Sequence, residues 1–422
     1  MRTLALVVWL VAVSTTAAQS HAILADGKRL PAALVGIDAE LKISLRETEV
    51  IRVLPVADLV LWGAYRDVER GPQTILADGS LIVGDVLDIG AQEITIGDAT
   101  GLGRVLWHPS PLPRSAVRGI IYQPPVDALA RDKLLSDVRQ FSGREDELRL
   151  VGGEVIRGTL QGGEPKPLGP EPPGAERDDF RLAIRGRSEP LVVNAARVQA
   201  ILLGSSAGSN AAEETVVTLG LADGSLVACR GLKIGKSSVE LALAGGGILR
   251  AMHEAEADDE GGFWNEVTLV QSHTPRVKYV SELETIGYKH IPFTAIEWPY
   301  GRDQNVLGGR LRSGGAVYLY GLGMHSASRL AYDVPAGWKR LEADVALDDA
   351  AGLGGSVVFK VVVEDSGQWR AAYQSPIVRG GDAPLPVKVD LKGIARVALL
   401  VEYADGGDVL DYANWLNTRL AK

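Results

Sequence analysis

The chain has 422 residues and a formal net charge of −9, with 46% hydrophobic and 23% charged residues. That balance predicts ordered globular structure and, as a soft prior, about three domains. An acidic chain without a basic patch offers no phosphate-binding surface, which excludes nucleic acid as a partner.

In chain order, the first segment reads as a secretion signal over residues 1–18. Arg2 supplies the positive end, and Leu4 to Val13 is an apolar run too short to span a bilayer. Thr16 and Ala18 offer a cleavage site after Ala18, with Ala22 as the nearby alternative. The expected location is therefore secreted or periplasmic. The single cysteine, Cys229, lies in a strand-like run and is expected to be a buried small hydrophobe.

Next comes a repeat. Leu24-Ala25-Asp26-Gly27 returns as Leu76-Ala77-Asp78-Gly79 and as Leu221-Ala222-Asp223-Gly224, with a degenerate copy at Leu150-Val151-Gly152-Gly153. Asp-Gly between apolar stretches signals a hairpin. Alternating strands follow, such as Leu41 to Leu45 and Val239 to Leu243. Four copies of a bent β-unit are predicted, beginning near Ala22, Gln73, Asp146 and Thr215, each with room for about five short strands. By analogy of pattern these are small Sm-like β-barrels; β-sandwiches built from pairs of copies are the alternative. Two barrels occupy residues 22–125 and two more 146–272.

Between them, Leu134, Leu135, Val138 and Phe141 share one helical face, which predicts a helix within 126–142. Residues 162–178 are proline-rich and read as a loop, and 205–214 as a linker. The acidic run Glu254, Glu256, Asp258, Asp259 and Glu260 lacks EF-hand spacing and reads as a solvated loop. Trp62, Trp107 and Trp264 fall near repeat ends, where core packing explains them.

From Pro275 to Lys422 the texture changes to many short strands, which describe a β-sandwich. Its centre is Val317-Tyr318-Leu319-Tyr320-Gly321-Leu322-Gly323-Met324-His325-Ser326-Ala327-Ser328, in which Gly321 and Gly323 predict a turn that delivers His325.

Here the sequence resembles the NPCBM domain, a carbohydrate-binding module found beside glycoside hydrolase catalytic domains and related to carbohydrate-binding module family 51. The resemblance rests on Tyr279, Ser281 and Leu283, on Gly321 to Ser328, on Asp348-Asp349, on Gly355 to Phe359, and on Asp411-x-Ala413-Asn414-Trp415. It covers the last third of the chain. It implies a galactose-binding-like jelly-roll β-sandwich, secreted, that binds glycans and performs no chemistry. Ala346-Leu347 and Tyr288-Lys289-His290 depart from the usual family pattern.

Sugar binding needs a flat aromatic ring and a few polar groups. Trp298, Trp369 and Trp415 are the candidate aromatics, and His325, Asn414, Arg302 and Asp348 the candidate polar groups. Asp348 and Asp349 could ligate a structural calcium, as the related modules suggest. The expected function is non-catalytic carbohydrate binding to a glycan or polysaccharide. The alternative is a cell-envelope structural or adaptor protein that contacts proteins through its repeats. A glycoside hydrolase would need two facing carboxylates and a catalytic domain, for which no region outside the repeats and the module has room.

Overall fold

The computed structural model describes residues 20–101, 103–161, 179–204, 214–253, 262–293 and 295–422. The signal segment 1–18, the proline-rich loop, residues 205–213 and the acidic run at 254–260 lie outside the described residues. No helix among the described residues is long and apolar enough to cross a membrane.

The repeats share one hydrogen-bonding plan. Gly27, Gly79, Gly153 and Gly224 all take positive φ, between 84° and 92°, a region glycine enters without steric cost. Where aspartate precedes the glycine, its carboxylate accepts the N–H two residues on, from Lys28, Ser80 or Ser225. That is an Asx turn. The residue after each leucine then donates to the end of its own repeat. Ala25 bonds Asp58 O, Ala77 bonds Ala116 O, Val151 bonds Arg197 O and Ala222 bonds Glu266 O, at 2.8–2.9 Å.

In the third repeat the strands lie side by side in the order Leu191–Val193, Phe180–Ala183, Val155–Gln161, Asp146–Leu150 and Val198–Leu202. The fourth repeat has the same order: Ile248–Met252, Ser238–Leu243, Leu226–Ile234, Val217–Leu221 and Val267–Ser272. In the first two repeats the second strand breaks in two, at Ala32 and at Gly84.

The expected barrels are corrected in one respect: no repeat closes on itself among the described residues. Each fifth strand instead pairs with the fifth strand of another repeat. Ile120 faces Ile201 between the second and third repeats, and Trp62 faces Val270 between the first and fourth. The second and fourth repeats join through Leu81 and Leu226. An edge strand must satisfy its N–H and C=O groups somewhere, and here a neighbouring repeat does so. The result is one 16-stranded sheet. An approximate two-fold relates the second and fourth repeats. Val83 N–H donates to buried Ser225 Oγ and Ala228 N–H to buried Ser80 Oγ, both at 2.9 Å.

Trp62, Trp107, Trp264 and Cys229 all lie in the shared core. Gly63, with φ of 77°, crosses so close to the fourth repeat that a Cβ would stand 2.1 Å from Thr268 O. Gly63→Ala should therefore cost about 2 kcal/mol or more, read as a lowered urea midpoint.

The helix runs Ala128–Gln140, and Asp127 caps it by accepting Ala130 N–H at 2.7 Å. It buries Leu134, Leu135 and Val138 against Ile121 and Leu202 of the repeats and joins a cluster containing Val317 of the C-terminal module.

That module is a sandwich of two six-stranded sheets. One sheet is built around Tyr412–Ala421, flanked by Gly321–His325 and Arg340–Leu347. The other is built around Ser356–Asp365 and Arg396–Tyr403. Phe359, Trp415, Leu341 and Leu399 fill the space between them. Gly321 and Gly323 do not make a turn, which corrects the sequence expectation. They lie inside a strand hydrogen-bonded on both sides. A Cβ on Gly321 would meet Trp415 O at 2.3 Å, and one on Gly323 would meet Gln304 O at 2.4 Å. Close backbone approach, not a bend, requires the glycines.

Ions join the repeats to the sandwich. Arg310 Nη2 lies 2.6 Å from Asp67, and Arg310 Nε lies 2.6 Å from Asp132. Arg312 pairs with the same two aspartates, and Arg131 adds a contact of 3.0 Å to Asp67. Burial pushes both carboxyls up, but the arginines more than reverse this and hold Asp67 and Asp132 below the usual carboxylate range.

Candidate functional site

One end of the sandwich gathers loops. Strands ending at His290, His325 and Tyr403 and strands beginning at Ser328, Ser356 and Tyr412 all meet there. At its centre the Trp298 ring lies flat on the His325 imidazole, with centroids 4.7 Å apart and planes 2° from parallel. His290 meets His325 edge-on at 5.8 Å, and Tyr412 flanks both Trp298 and His325 at about 6 Å.

Hydrogen bonds fix this stack. His325 Nδ1 and His290 Nε2 both lie on Ser326 O, at 3.1 and 3.0 Å, so each donates N–H there. His290 Nδ1 is then left to accept Trp298 N–H at 3.1 Å. Tyr288 O–H donates to Trp298 O at 2.5 Å. Outside the stack, the exposed rings of Phe293 and Tyr403 meet edge-on at 6.2 Å, with 66% and 48% of their surface accessible. The end of the sandwich is thus an aromatic floor fixed by hydrogen bonds, with an exposed aromatic rim, a geometry that apolar sugar faces can stack on.

His325 itself is 2% exposed. It lies beneath the Trp298 ring, closed off from solvent. Burial, above all, pushes its imidazole below the usual histidine value. The fold therefore holds it neutral. Its stabilising share is complete above the unfolded value of about 6.5 and is lost as pH falls toward the lower folded value. Denaturation midpoints should drop as pH falls below about 6.5. His273 is pushed down likewise, so the His325 share is read from a smaller drop in His325→Phe. An equal drop in that variant would contradict the assignment.

Of the residues expected from sequence, the structure brings together His325 and Trp298. Arg302 is exposed nearby, its Nε 3.4 Å from Tyr300 Oη and its Nη2 3.7 Å from Glu284. Trp415 is corrected: it is 0% exposed, edge-on to Phe359 at 5.2 Å, and belongs to the core. Trp369 pairs with Glu364, at the opposite end of the sandwich from the loop cluster.

Asn414 and Asp348 are both buried, and Asn414 Nδ2 donates to Asp348 at 2.7 Å. Asp348 also accepts Asn305 Nδ2 and the N–H groups of Arg312 and Ala350. Asp349 accepts the N–H groups of Gly314 and Gly315, at 2.8 Å each. A calcium ion would need lone pairs that four hydrogen bonds already occupy on Asp348, which leaves only exposed Asp349 with free oxygen capacity. Asp348 thus has no room for a calcium ion, and the described residues contain no cluster of three or more metal-binding side chains.

Sequence reasoning missed His290, Tyr412, Phe293 and Tyr403. Tyr412 stood unremarked as the variable position after Asp411, and His290 within a stretch noted only as a departure from pattern. Neither carries a spacing signal, because their contacts to His325 cross between strands and loops.

The fold here is a β-sandwich module with an aromatic cluster at its loop end. Residues 277–421 match the family model of the NPCBM/NEW2 domain. A protein of Renibacterium salmoninarum, named provisionally as an endo-alpha-N-acetylgalactosaminidase, is 29% identical over 143 residues. The match covers 33% of this chain and 9% of that protein, so the chain spans under a tenth of the relative's length. Among solved structures, the CBM51 of Clostridium perfringens GH95, in complex with methyl-galactose, is 20% identical. It covers 34% of this chain and 99% of its own, with a TM-score of 0.30. The CBM51-2 and INT domains of Clostridium perfringens ZmpB, with GlcNAc, are 19% identical over 49% of this chain and 40% of theirs, with a TM-score of 0.30.

Proposed function

We propose that this chain is an exported, non-catalytic glycan-binding protein that grips a saccharide at the loop end of its sandwich. The observation that carries this is the Trp298 ring, stacked on buried His325 and locked by His290, beside the exposed Phe293–Tyr403 pair. Trp298 and the outer rings supply the stacking surface, and the exposed Arg302 supplies a polar group at its margin. The side chains that converge there are rings held by hydrogen bonds, which suits binding more than bond cleavage. The apolar run after Arg2 supports export.

A glycan array probed with the full chain tests the reading, with galactose- and N-acetylhexosamine-terminated glycans on the panel. Binding above background to a defined class of terminal sugar is the expected result. A blank from protein with a cooperative melting transition would refute it.

A further inference from the structure

Beside the ion cluster, the repeats and the sandwich stand apart and leave a cleft of about 1200 Å³. Arg29 and Arg66 of the first repeat and Arg104 of the second line one side. Tyr318, Asp344 and Asn417 of the sandwich line the other. The cleft exists only because the two bodies are joined.

Two features set it apart from an ordinary seam. First, the strand Tyr412–Ala421 carries a bulge here. Its register against Arg340–Leu347 shifts between Glu342–Arg419 and Asp344–Leu416. Within the bulge Asn417 takes a φ of 47°, while its N–H still donates to Tyr320 O at 2.9 Å. Bulges re-aim side chains at the cost of a ladder bond, and this one delivers a 5% exposed asparagine to the cleft.

Second, the charges do not cancel. Arg29 is paired with Asp344 at 2.7 Å and Arg104 with Glu266 at 3.1 Å. Asp67, on the cleft floor, already meets Arg131, Arg310 and Arg312. Arg66 has no ion-pair partner among the described residues, and its guanidinium lies against Gly315 of the sandwich. A chain of net charge −9 therefore keeps an exposed arginine without an ion-pair partner at this cleft.

We infer that this cleft is a second binding site, for a saccharide bearing a carboxylate. The saccharide part rests on the glycan-binding reading above. Arg66 takes the carboxylate, as a guanidinium does with two parallel N–H groups. The ring of half-buried Tyr318 covers the apolar face of the sugar, and its hydroxyl, pushed up to about 12 by burial, stays protonated to donate. Asn417 and the Arg29–Asp344 pair meet the hydroxyls. The repeats then do more than carry the module, because they supply the charged wall.

The test titrates the full chain with an oligogalacturonate and with the matching neutral oligogalactoside. Arg66→Met removes the charge but keeps the stem. Asn417→Gly keeps the positive φ but removes the carboxamide. The oligogalacturonate should bind more tightly than the neutral sugar, less so at high salt. Its affinity should fall about tenfold or more in Arg66→Met, fall also in Asn417→Gly, and survive Trp298→Ala. If neutral glycans bind and the oligogalacturonate does not, the cleft site is overturned and the loop-end reading stands. Oligogalacturonate binding lost in Trp298→Ala but kept in Arg66→Met would also overturn it, since the acid would then sit at the loop end. If no glycan binds a folded chain, both readings fall.

Discussion

Asp132→Ala should destabilise the folded chain by about 3–5 kcal/mol, the usual consequence of removing one partner from a buried ion pair. Asp132 is buried on the helix that crosses from repeats to sandwich. It holds Arg310 Nε at 2.6 Å, pairs with Arg312 through both oxygens, and accepts Arg310 N–H at 2.8 Å. Without it Asp67 faces three guanidinium groups, with Glu69 adding only a 3.9 Å contact to Arg131. Urea denaturation of the full chain reads the loss, and a change below about 1 kcal/mol would show that the network is weakly coupled to folding. The same network predicts acid lability. Both aspartates have depressed values, so their share is present above about pH 4 and is lost as pH falls through the lower folded values. Excising residues 275–422 would strip Arg310 and Arg312 of both partners, which is why binding belongs in tests on the full chain.

Trp415→Ala should cost about 3–5 kcal/mol as well, for a different reason. The ring is fully buried between the sheets against Phe359, and its removal leaves a cavity that the strands on either side cannot close. Glycan affinity per folded molecule should be unchanged, because the ring lies under the sheet and not at the loop end. A variant that folds normally but loses sugar binding would return Trp415 to the site. Trp298→Ala has the opposite signature: a half-buried ring over His325 whose loss removes stacking but little core.

The repeats were legible because Asp-Gly turns are local. Asp78 and Gly79 set their hairpin whatever surrounds them, and the same holds for Asp223 and Gly224. The bent five-stranded unit followed from the alternation of apolar residues after each turn. What the strands do at their edges was not legible. The pairing of Ile120 with Ile201 and of Leu81 with Leu226 joins residues far apart in the chain, and apolar pattern alone does not distinguish closing on oneself from closing on a neighbour.

The site divides in the same way. His325 stood out because a histidine after Gly-x-Gly is conspicuous, and Trp298 because tryptophan is scarce. Their stacking depends on the path of residues 291–300 over the strand end, which carries no periodic signal. Asp348, Asp349 and Asn414 were conspicuous too, but buried Asp348 accepts backbone N–H groups and the amide of buried Asn414, and exposed Asp349 accepts the N–H groups of a neighbouring turn. Polar residue type signals a task and leaves open whether the task is a ligand or the fold.

The central claim is that the loop end of the sandwich binds saccharide through Trp298. Its most direct test is the affinity of the full chain and of Trp298→Ala for the strongest glycan found on the array, with a thermal melt of each protein alongside. Loss of one stacking ring should weaken binding about tenfold or more while the melting temperature moves by only a few degrees. Unchanged affinity in a folded Trp298→Ala protein would contradict the assignment and move the saccharide to another surface.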